Sequence, residues 1–260
     1  RRTMTPVFPA FPWRRDDALP LLVAIALLLP IVFLLPPLPI DETRYLAVAW
    51  EMRTTGEFLV PHLNGATYAH KPPLLFWLIN LVWLFTGVHA WTARAMTLLC
   101  SLASLVLMYR LAWRLTASAS IARWATWLLL GAIYFGLFAN AIMFDVPLTT
   151  CVLVAMHGIC DLVDGRARRG VLVTGVAIGL GILVKGPVML LDIAFVALPA
   201  PWWSEDRLRG RRARYFGAFA HEATDAWLER SPSVYADKLE TPLLLMHSEG
   251  DLRCSVERAE

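Results

Sequence analysis

Long apolar segments constrain this chain more than any other feature of its sequence. They lie at 18–40, 74–91, 95–115, 121–144, 146–163, 171–184 and 186–203. Roughly 20 consecutive apolar residues allow an α-helix to cross the hydrocarbon core of a bilayer. Hydrophobic residues make up 57% of the 260 residues and charged residues 17%, whereas soluble domains average about 45–50% and about 25%. The sequence therefore predicts an all-α polytopic membrane protein and argues against a disordered chain or a disulfide scaffold.

The first apolar segment, 18–40, is predicted to be a transmembrane helix that follows a cytoplasmic N-terminus at 1–17. A signal peptide is the alternative, because Arg14 and Arg15 precede the segment. The segment is, however, longer than the apolar core of a typical signal peptide, and it ends in prolines without a small-residue cleavage site. A retained helix is therefore favoured.

The arginine clusters predict the topology, because an excess of Lys and Arg marks cytoplasmic loops. The clusters lie at 14–15, 110–123, 166–169 and 207–214. If all of them are cytoplasmic, the loop at 41–73 lies outside the cytoplasm, and only one crossing fits between it and the second cluster. Residues 74–91 are therefore predicted to be interfacial or re-entrant, and further transmembrane helices fill the rest of 74–204. Counting the crossings from the loop onward puts Asp145 and Lys185 on the same outer face as the loop.

The loop at 41–73 is predicted to hold the catalytic chemistry. Within it, Tyr45, Ala49 and Met52 recur at helical spacing, which predicts a short amphipathic helix over 43–53 on the membrane surface.

Several charged residues at predicted membrane edges are candidates for function. Asp41 and Glu42 directly follow the first apolar segment, where carboxylates are costly unless they are paired or functional. Lysine is scarce, yet Lys71 and Lys185 stand before Pro-Pro and Gly-Pro. A compact ammonium beside rigid backbone suits a phosphate at headgroup depth, and Arg44 could bind further phosphate oxygens with two parallel hydrogen bonds.

A family resemblance rests on a set of motifs in a fixed order. They are Asp-Glu-Thr-Arg-Tyr at 41–45, Val-Pro-His-Leu-Asn-Gly at 60–65, Lys-Pro-Pro-Leu at 71–74, Met-Phe-Asp-Val-Pro-Leu at 143–148 and the Gly-Pro-ended motif at 181–187. Together they resemble the polyprenyl-phosphate-dependent membrane glycosyltransferases over about residues 13–200. The nearest resemblance is to the lipid A 4-amino-4-deoxy-L-arabinose transferases and the protein mannosyltransferase-like bacterial enzymes.

The resemblance implies a glycosyltransferase type C bundle in the bacterial inner membrane. It implies transfer of a sugar from an undecaprenyl-phosphate carrier to a periplasmic-side acceptor such as lipid A or a protein. Asp41 is then the catalytic group and Asp145 a second acid in the same cavity, while Arg44 and Lys71 are ligands of the carrier phosphate. Chemically, Asp41 can act as a base for the acceptor, and the cations can offset charge on the departing phosphate.

Two histidines of the loop leave a question open. His70 stands where the resemblance to the arabinose transferases implies an acid, so the resemblance supports the broader family more than the arabinose substrate. His62 and His70 could bind a divalent metal together with Glu42, but their spacing gives no compact ligand set. No cofactor is therefore assigned, and a metal stays possible.

The C-terminal segment 205–260 has a soluble composition and is predicted to be a short α/β-hydrolase-like fragment. Its apolar run at 243–246, followed by Asp251, resembles the C-terminal part of acylaminoacyl peptidases of the prolyl oligopeptidase family over about 215–260. Asp251 would be a vestigial triad acid, since the chain has no Gly-x-Ser-x-Gly motif. We expect a truncated transferase joined to this fragment near 204–215.

Two alternatives to the transferase stay open from the sequence. One is a serine hydrolase, carried by the tail alone with an incomplete triad. The other is a membrane protein that binds a lipid phosphate without catalysis.

Overall fold

The computed structural model describes residues 15–200, and the architecture below concerns that part of the chain. The described residues belong to one compact unit, which ends at residue 200. The predicted hydrolase-like fragment, with Asp251, lies outside the described residues.

The described part is almost entirely helical. A 3-10 turn at Arg15–Asp17 precedes nine helices and one small hairpin. The helices are α1 (Leu19–Leu34), α2 (Asp41–Thr55), α3 (Leu74–Thr86), α4 (Ala90–Thr116), α5 (Ala119–Gly131), α6 (Ile133–Phe138), α7 (Asp145–Val163), α8 (Ala167–Lys185) and α9 (Val188–Ala197). In the hairpin, β1 (His62–Leu63) pairs antiparallel with β2 (Ala66–Thr67) around Asn64-Gly65, both of which have positive φ, as such tight turns require.

Three helices, α4, α7 and α8, are long and apolar enough to cross a membrane. They form the centre of the described fold. Helices α4 and α7 run parallel, since Ser104 meets Thr150 at 2.9 Å and Arg114 meets the carbonyl of His157 at 2.9 Å. Helix α8 returns antiparallel to α7, and Gly158 lies so close to it that a Cβ there would stand 2.3 Å from the Thr174 hydroxyl. The small residue therefore sets the close approach of these two helices.

Ion pairs between the helices lie at two opposite ends of the fold. At the arginine-rich end, where α4 and α7 end and α8 begins, Arg114 contacts Asp161 at 2.5 Å and Arg166 contacts it at 3.5 Å. At the other end, called the site end, α2, α4 and α7 begin and α8 ends. The arginines of 110–123 and 166–169 thus share one end, as their predicted common location requires, whereas the direction in which that end faces stays a prediction.

The first apolar segment forms a shorter helix than predicted. Instead of 18–40, α1 ends at Leu34, and Leu35 is extended with ψ 135°. The physical reason is Pro36, because a proline disfavours helical backbone in the residue before it. At 1.5 Å per residue the 16 residues of α1 measure about 24 Å.

Two other segments also differ from the predicted blocks. The block at 121–144 is divided into α5 and α6, because the backbone turns extended at Ala132. The segment at 41–73 contains a helix of 15 residues and the small hairpin, so it is ordered structure rather than an open loop.

Helix α3 does not lead away from the site end. It lies along α2, where the Asn80 amide donates to the carbonyl of Ala49 at 3.0 Å. Near its last turn, the Trp83 indole donates to the carbonyl of His89 at 3.0 Å, just before α4 begins. Its 13 residues measure about 20 Å, less than the roughly 30 Å hydrocarbon core. This geometry fits the predicted non-crossing segment, and its interfacial position stays a prediction.

Candidate active site

Helix α2 carries the first part of the candidate site, and its packing follows the predicted stripe. Tyr45, Ala49 and Met52 are buried, as their helical spacing predicts, and Glu42 and Val48 are buried beside them. The predicted helix over 43–53 is therefore confirmed and extends by a few residues at each end. The exposed side of the helix carries Ala47 and Trp50 besides polar residues such as Thr43.

Asp41 and Arg44 form an ion pair at the start of α2. The guanidinium donates to the Asp41 carboxylate at 2.5 Å, and both side chains stay partly exposed, at 37% for Arg44 and 44% for Asp41. Ile40, the residue before the helix, has φ 73°, a value that is strained for a β-branched residue. The strained turn directs the chain from the end of α1 into α2, so the acid stands where α2 begins.

An aromatic cluster connects α2 with Lys71 and with the start of α7. The ring of Tyr45 meets Phe144 edge-on at 4.9 Å between centroids, and Phe76 meets Phe144 at 5.6 Å. The Lys71 ammonium lies over the face of Phe144, 5.3 Å from the ring centroid, a cation–π contact. Among residues 15–200, Lys71 has no carboxylate partner within ion-pair distance, so its charge is open to an external anion.

Asp145 and Lys185 meet directly at the site end. The Lys185 ammonium donates to the Asp145 carboxylate, although the two residues are 40 positions apart. Because Asp145 follows Phe144, this pair adjoins the aromatic cluster and Lys71. The expectation that both residues lie on the same face as 41–73 is thus met in the structure, and their roles in catalysis stay predictions.

Glu42 is not an accessory ligand in the site but the centre of a buried ion pair. Its side chain is fully buried and binds Arg94, which is 4% exposed. The carboxylate also accepts the backbone N–H groups of Leu38 at 2.6 Å and Ile142 at 2.8 Å, and Arg94 further donates to the carbonyl of Pro36 at 2.8 Å. These contacts tie the end of α1, the start of α4 and the approach to α7 to α2.

The pKa of Glu42 reflects this setting. Burial alone would raise the pKa of the carboxyl, but the hydrogen bonds from Arg94, Leu38 and Ile142 and the charge of Arg94 together lower it below its usual range. Glu42 is therefore ionised and committed to the pair. By contrast, burial and the nearby Asp41 carboxylate raise the pKa of Tyr45, so this phenol stays protonated.

The two loop histidines do not assemble a metal centre with Glu42. His62 lies in β1, and the ring of His70 meets Tyr68 edge-on at 5.4 Å. Within residues 15–200 there is no group of three or more His, Cys, Asp or Glu side chains that could hold a metal ion. The predicted third ligand, the carboxylate of Glu42, binds Arg94 instead.

An apolar cavity of about 540 Å³ opens beside Asp145. Its walls come mainly from α6 and its flanks, with the aromatic side chains Tyr134, Phe135 and Phe138, and from the start of α7. Tyr134 is 80% exposed, so the cavity is open along one side. The cavity therefore has a wall of aromatic rings, and a carboxylate, that of Asp145, also lines it.

Sequence reasoning missed Arg94 and the aromatic cluster. A single arginine at the start of the apolar block 95–115 was the available signal for Arg94, because a cation there is costly without a partner. Nothing in the sequence pairs it with Glu42. Phe76 and Phe144 look like ordinary apolar residues, and only the fold brings them to Tyr45 and Lys71.

Comparisons with known proteins give matches in sequence and in fold. The sequence model of the family described as dolichyl-phosphate-mannose-protein mannosyltransferase matches residues 70–220. The undecaprenyl phosphate-alpha-4-amino-4-deoxy-L-arabinose arabinosyl transferase 1 of Pseudomonas fluorescens (strain Pf0-1) is 31% identical over 182 residues, which is 67% of this chain and 31% of the relative. The corresponding transferase of Pseudomonas aeruginosa (strain LESB58) is 31% identical over 192 residues, 69% of this chain and 33% of the relative.

Two solved structures share the fold. The crystal structure of ArnT from Cupriavidus metallidurans bound to undecaprenyl phosphate has a TM-score of 0.57 and 22% identity, and covers 72% of this chain and 38% of ArnT. The apo structure of the same protein has a TM-score of 0.57 and 20% identity, and covers 86% and 44%. These matches confirm the prediction of an all-α membrane glycosyltransferase fold. The chain spans about a third of the length of the curated relatives that it matches.

The predicted peptidase-like segment over 215–260 gains no support from these comparisons. The family match extends to residue 220, past the junction that was predicted near 204–215. The peptidase resemblance therefore rests on the sequence motif alone.

Proposed function

We propose a function for this chain from its family, since it belongs to the dolichyl-phosphate-mannose-protein mannosyltransferases. The proposed function is transfer of a glycosyl group from an undecaprenyl-phosphate-linked donor. The acceptor would be a lipid such as lipid A or a protein. The site end would face the periplasm from the bacterial inner membrane. The curated relatives named above are arabinosyl transferases, which favours an amino-arabinose donor despite His70.

The observation that carries this proposal is the convergence of charged groups at the site end. Asp41 with Arg44, Lys71, and Asp145 with Lys185 come from separate segments of the chain and surround one aromatic cluster. The apolar cavity starts at Asp145. A polyprenyl phosphate has the same division into a long apolar chain and an anionic head, so it fits this arrangement.

The proposed step breaks the bond between the sugar anomeric carbon and the carrier phosphate oxygen. An acceptor hydroxyl forms the new glycosidic bond, its proton passes to a carboxylate, and polyprenyl phosphate leaves with the bonding electron pair. Lys71 is the proposed ligand of the leaving phosphate, because its charge has no carboxylate partner among residues 15–200. Asp41 and Asp145 are the candidate bases. Arg44 and Lys185, which were predicted as phosphate ligands, pair with these carboxylates and orient them.

A binding experiment tests the carrier-phosphate site. We expect Lys71→Gln to weaken binding of undecaprenyl phosphate to the purified full chain by about tenfold or more, since a charge-assisted hydrogen bond is lost. Binding of undecaprenol, which lacks the phosphate, should not change. Arg53→Gln is the matched control, because Arg53 is an exposed cation at the other end of α2. Equal affinity of wild type and Lys71→Gln for undecaprenyl phosphate would reject the assignment.

A second measurement separates transfer from simple lipid binding. Asp41→Asn and Asp145→Asn should keep undecaprenyl phosphate binding within a few fold but lose transfer of the sugar, if a carboxylate takes the acceptor proton. Full turnover in both variants would remove the acids from the reaction. Absence of transfer by the wild-type chain, with undecaprenyl phosphate still bound, would instead favour the alternative of a membrane protein that only binds the lipid phosphate.

A further inference from the structure

A second cavity lies at the arginine-rich end, away from the candidate active site. Its volume is about 440 Å³, and it lies between α4, α7 and α8, the helices able to cross a membrane. Arg110, Arg114, Arg166 and Arg169 line it, together with a single acid, Asp161. The glycosyl transfer proposed above uses none of these residues.

Asp161 holds three of the arginines in place. Its buried carboxylate contacts Arg114 at 2.5 Å, Arg169 at 3.1 Å and Arg166 at 3.5 Å. Asp164 contacts the same Nη2 atom of Arg114 at 2.7 Å. A guanidinium has five N–H donors. Among the described residues, the ion-pair contact of Arg169 is with this carboxylate alone, so Arg169 keeps donors for another acceptor.

The cluster is electropositive after these pairs are counted. Among the described residues, four arginines line the cavity and two aspartates, Asp161 and Asp164, pair with Arg114, so these six side chains together carry a net charge of +2. Arg110 forms no ion pair with any residue in the described range 15–200, and its side chain is exposed. Arg169 is 69% exposed. An anion can therefore reach both guanidinium groups.

The cavity becomes apolar one helical turn further from the end. On α4 the residue one turn inside Arg110 is Leu107, and on α8 the residue one turn inside Arg169 is Val173; both line the cavity. Val154 of α7 lines it at a similar depth. Trp113 also lines it, and tryptophan is typical of the headgroup level of a bilayer.

We propose that this cavity binds the phosphodiester headgroup of an anionic phospholipid from the leaflet at the arginine-rich end. The guanidinium groups bind the phosphate oxygens, and the start of an acyl chain lies against Leu107, Val154 and Val173. Basic cavities between membrane-spanning helices are suited to anionic lipid headgroups. A free phosphate would use the arginines but would leave the apolar floor uncovered, so the lipid fits more of the cavity.

Lipid retention by the delipidated full chain, measured by native mass spectrometry, tests the site. The probes are phosphatidylglycerol and the zwitterionic phosphatidylcholine. We expect Arg110→Gln/Arg169→Gln to reduce phosphatidylglycerol affinity by roughly tenfold or more, and Arg110→Gln alone to reduce it severalfold without loss of an internal ion pair. The matched control is Arg53→Gln/Arg168→Gln, which removes two exposed arginines outside the cavity and should change the affinity less than twofold.

Three results would overturn the proposal. One is equal phosphatidylglycerol affinity in the cavity variants and the control variant. Another is retention of phosphatidylcholine as tight as that of phosphatidylglycerol. The third is displacement of the lipid by soluble glycerol 3-phosphate at comparable concentration, which would identify a site for a free phosphate instead. Size-exclusion profiles of the Arg110→Gln protein establish that the comparison is made on folded chains.

Discussion

The buried pair of Glu42 and Arg94 yields the most quantitative prediction. Glu42→Gln keeps the shape of the side chain but removes its charge, so the Arg94 guanidinium, 4% exposed, loses its counter-ion. Breaking a buried ion pair from one side costs about 3–5 kcal/mol. Arg94 keeps its carbonyl partners at Leu35 and Pro36, which places the expected cost near the lower value, about 3 kcal/mol.

The assay is thermal unfolding of the purified chain in detergent, followed by tryptophan fluorescence. A loss of about 3 kcal/mol corresponds to a Tm lower by roughly 6–12 °C for a chain of this size. Glu57→Gln is the control, since Glu57 is an exposed carboxylate on the loop after α2, and its Tm should stay within about 1–2 °C of wild type.

A double variant sharpens the test. Glu42→Gln combined with Arg94→Met removes both charges, so the loss should fall short of the sum of the two single losses by about 1–3 kcal/mol. Additive losses, or a Tm of Glu42→Gln equal to that of wild type, would refute the reasoning that the pair holds α1, α2, α4 and the approach to α7 together.

Further predictions concern the helix interface, the hairpin and pH. Gly158→Ala should destabilise the chain by about 1–3 kcal/mol, because the new Cβ would lie 2.3 Å from the Thr174 hydroxyl. Gly179→Ala is the control, since a Cβ there would have no atom within 4 Å. Equal Tm values for the two variants would contradict the close packing. Glu51→Ala should speed proteolysis at the hairpin, because Glu51 accepts the backbone N–H groups of both turn residues at 2.7 and 2.8 Å; unchanged cleavage would show that this contact does not hold the turn. The lowered pKa of Glu42 means that its stabilisation is complete above the ordinary carboxyl pKa of 4.5 and is lost as pH falls through the lower folded value. When the pH is lowered below 4.5, the Tm of wild type should therefore fall by more than the Tm of Glu42→Gln. Plots of Tm against pH that run parallel for the two proteins would contradict this prediction.

The sequence predicted those parts of the site that depend on the spacing of apolar residues along a helix and on the number of membrane crossings. The stripe at Tyr45, Ala49 and Met52 predicted the buried face of α2, because helical spacing is a local property. Counting spans between arginine clusters predicted that Asp145 and Lys185 share one end, because each crossing reverses the direction of the chain. Both inferences needed only the order of residues along the chain.

What the sequence could not predict depends on contacts between distant segments. Glu42 and Arg94 are 52 residues apart, and no spacing rule relates a buried acid to a cation on another helix. The sequence therefore predicted Glu42 as an accessory or metal ligand, whereas in the structure it forms an ion pair with Arg94. The early end of α1 is different, because Pro36 is a local signal that ends the helix although the apolar segment continues.

The long separation between the members of the site end has a consequence for synthesis in the cell. Asp41 emerges from the ribosome 144 residues before Lys185, which corresponds to roughly 7–30 s at about 5–20 residues per second. Glu42 likewise precedes Arg94 by 52 residues. Until Arg94 is synthesised, the carboxylate of Glu42 lacks this counter-ion. We therefore expect α2 to stay in water until α4 is made. The order of insertion, and not only the final packing, then decides whether this end of the protein assembles.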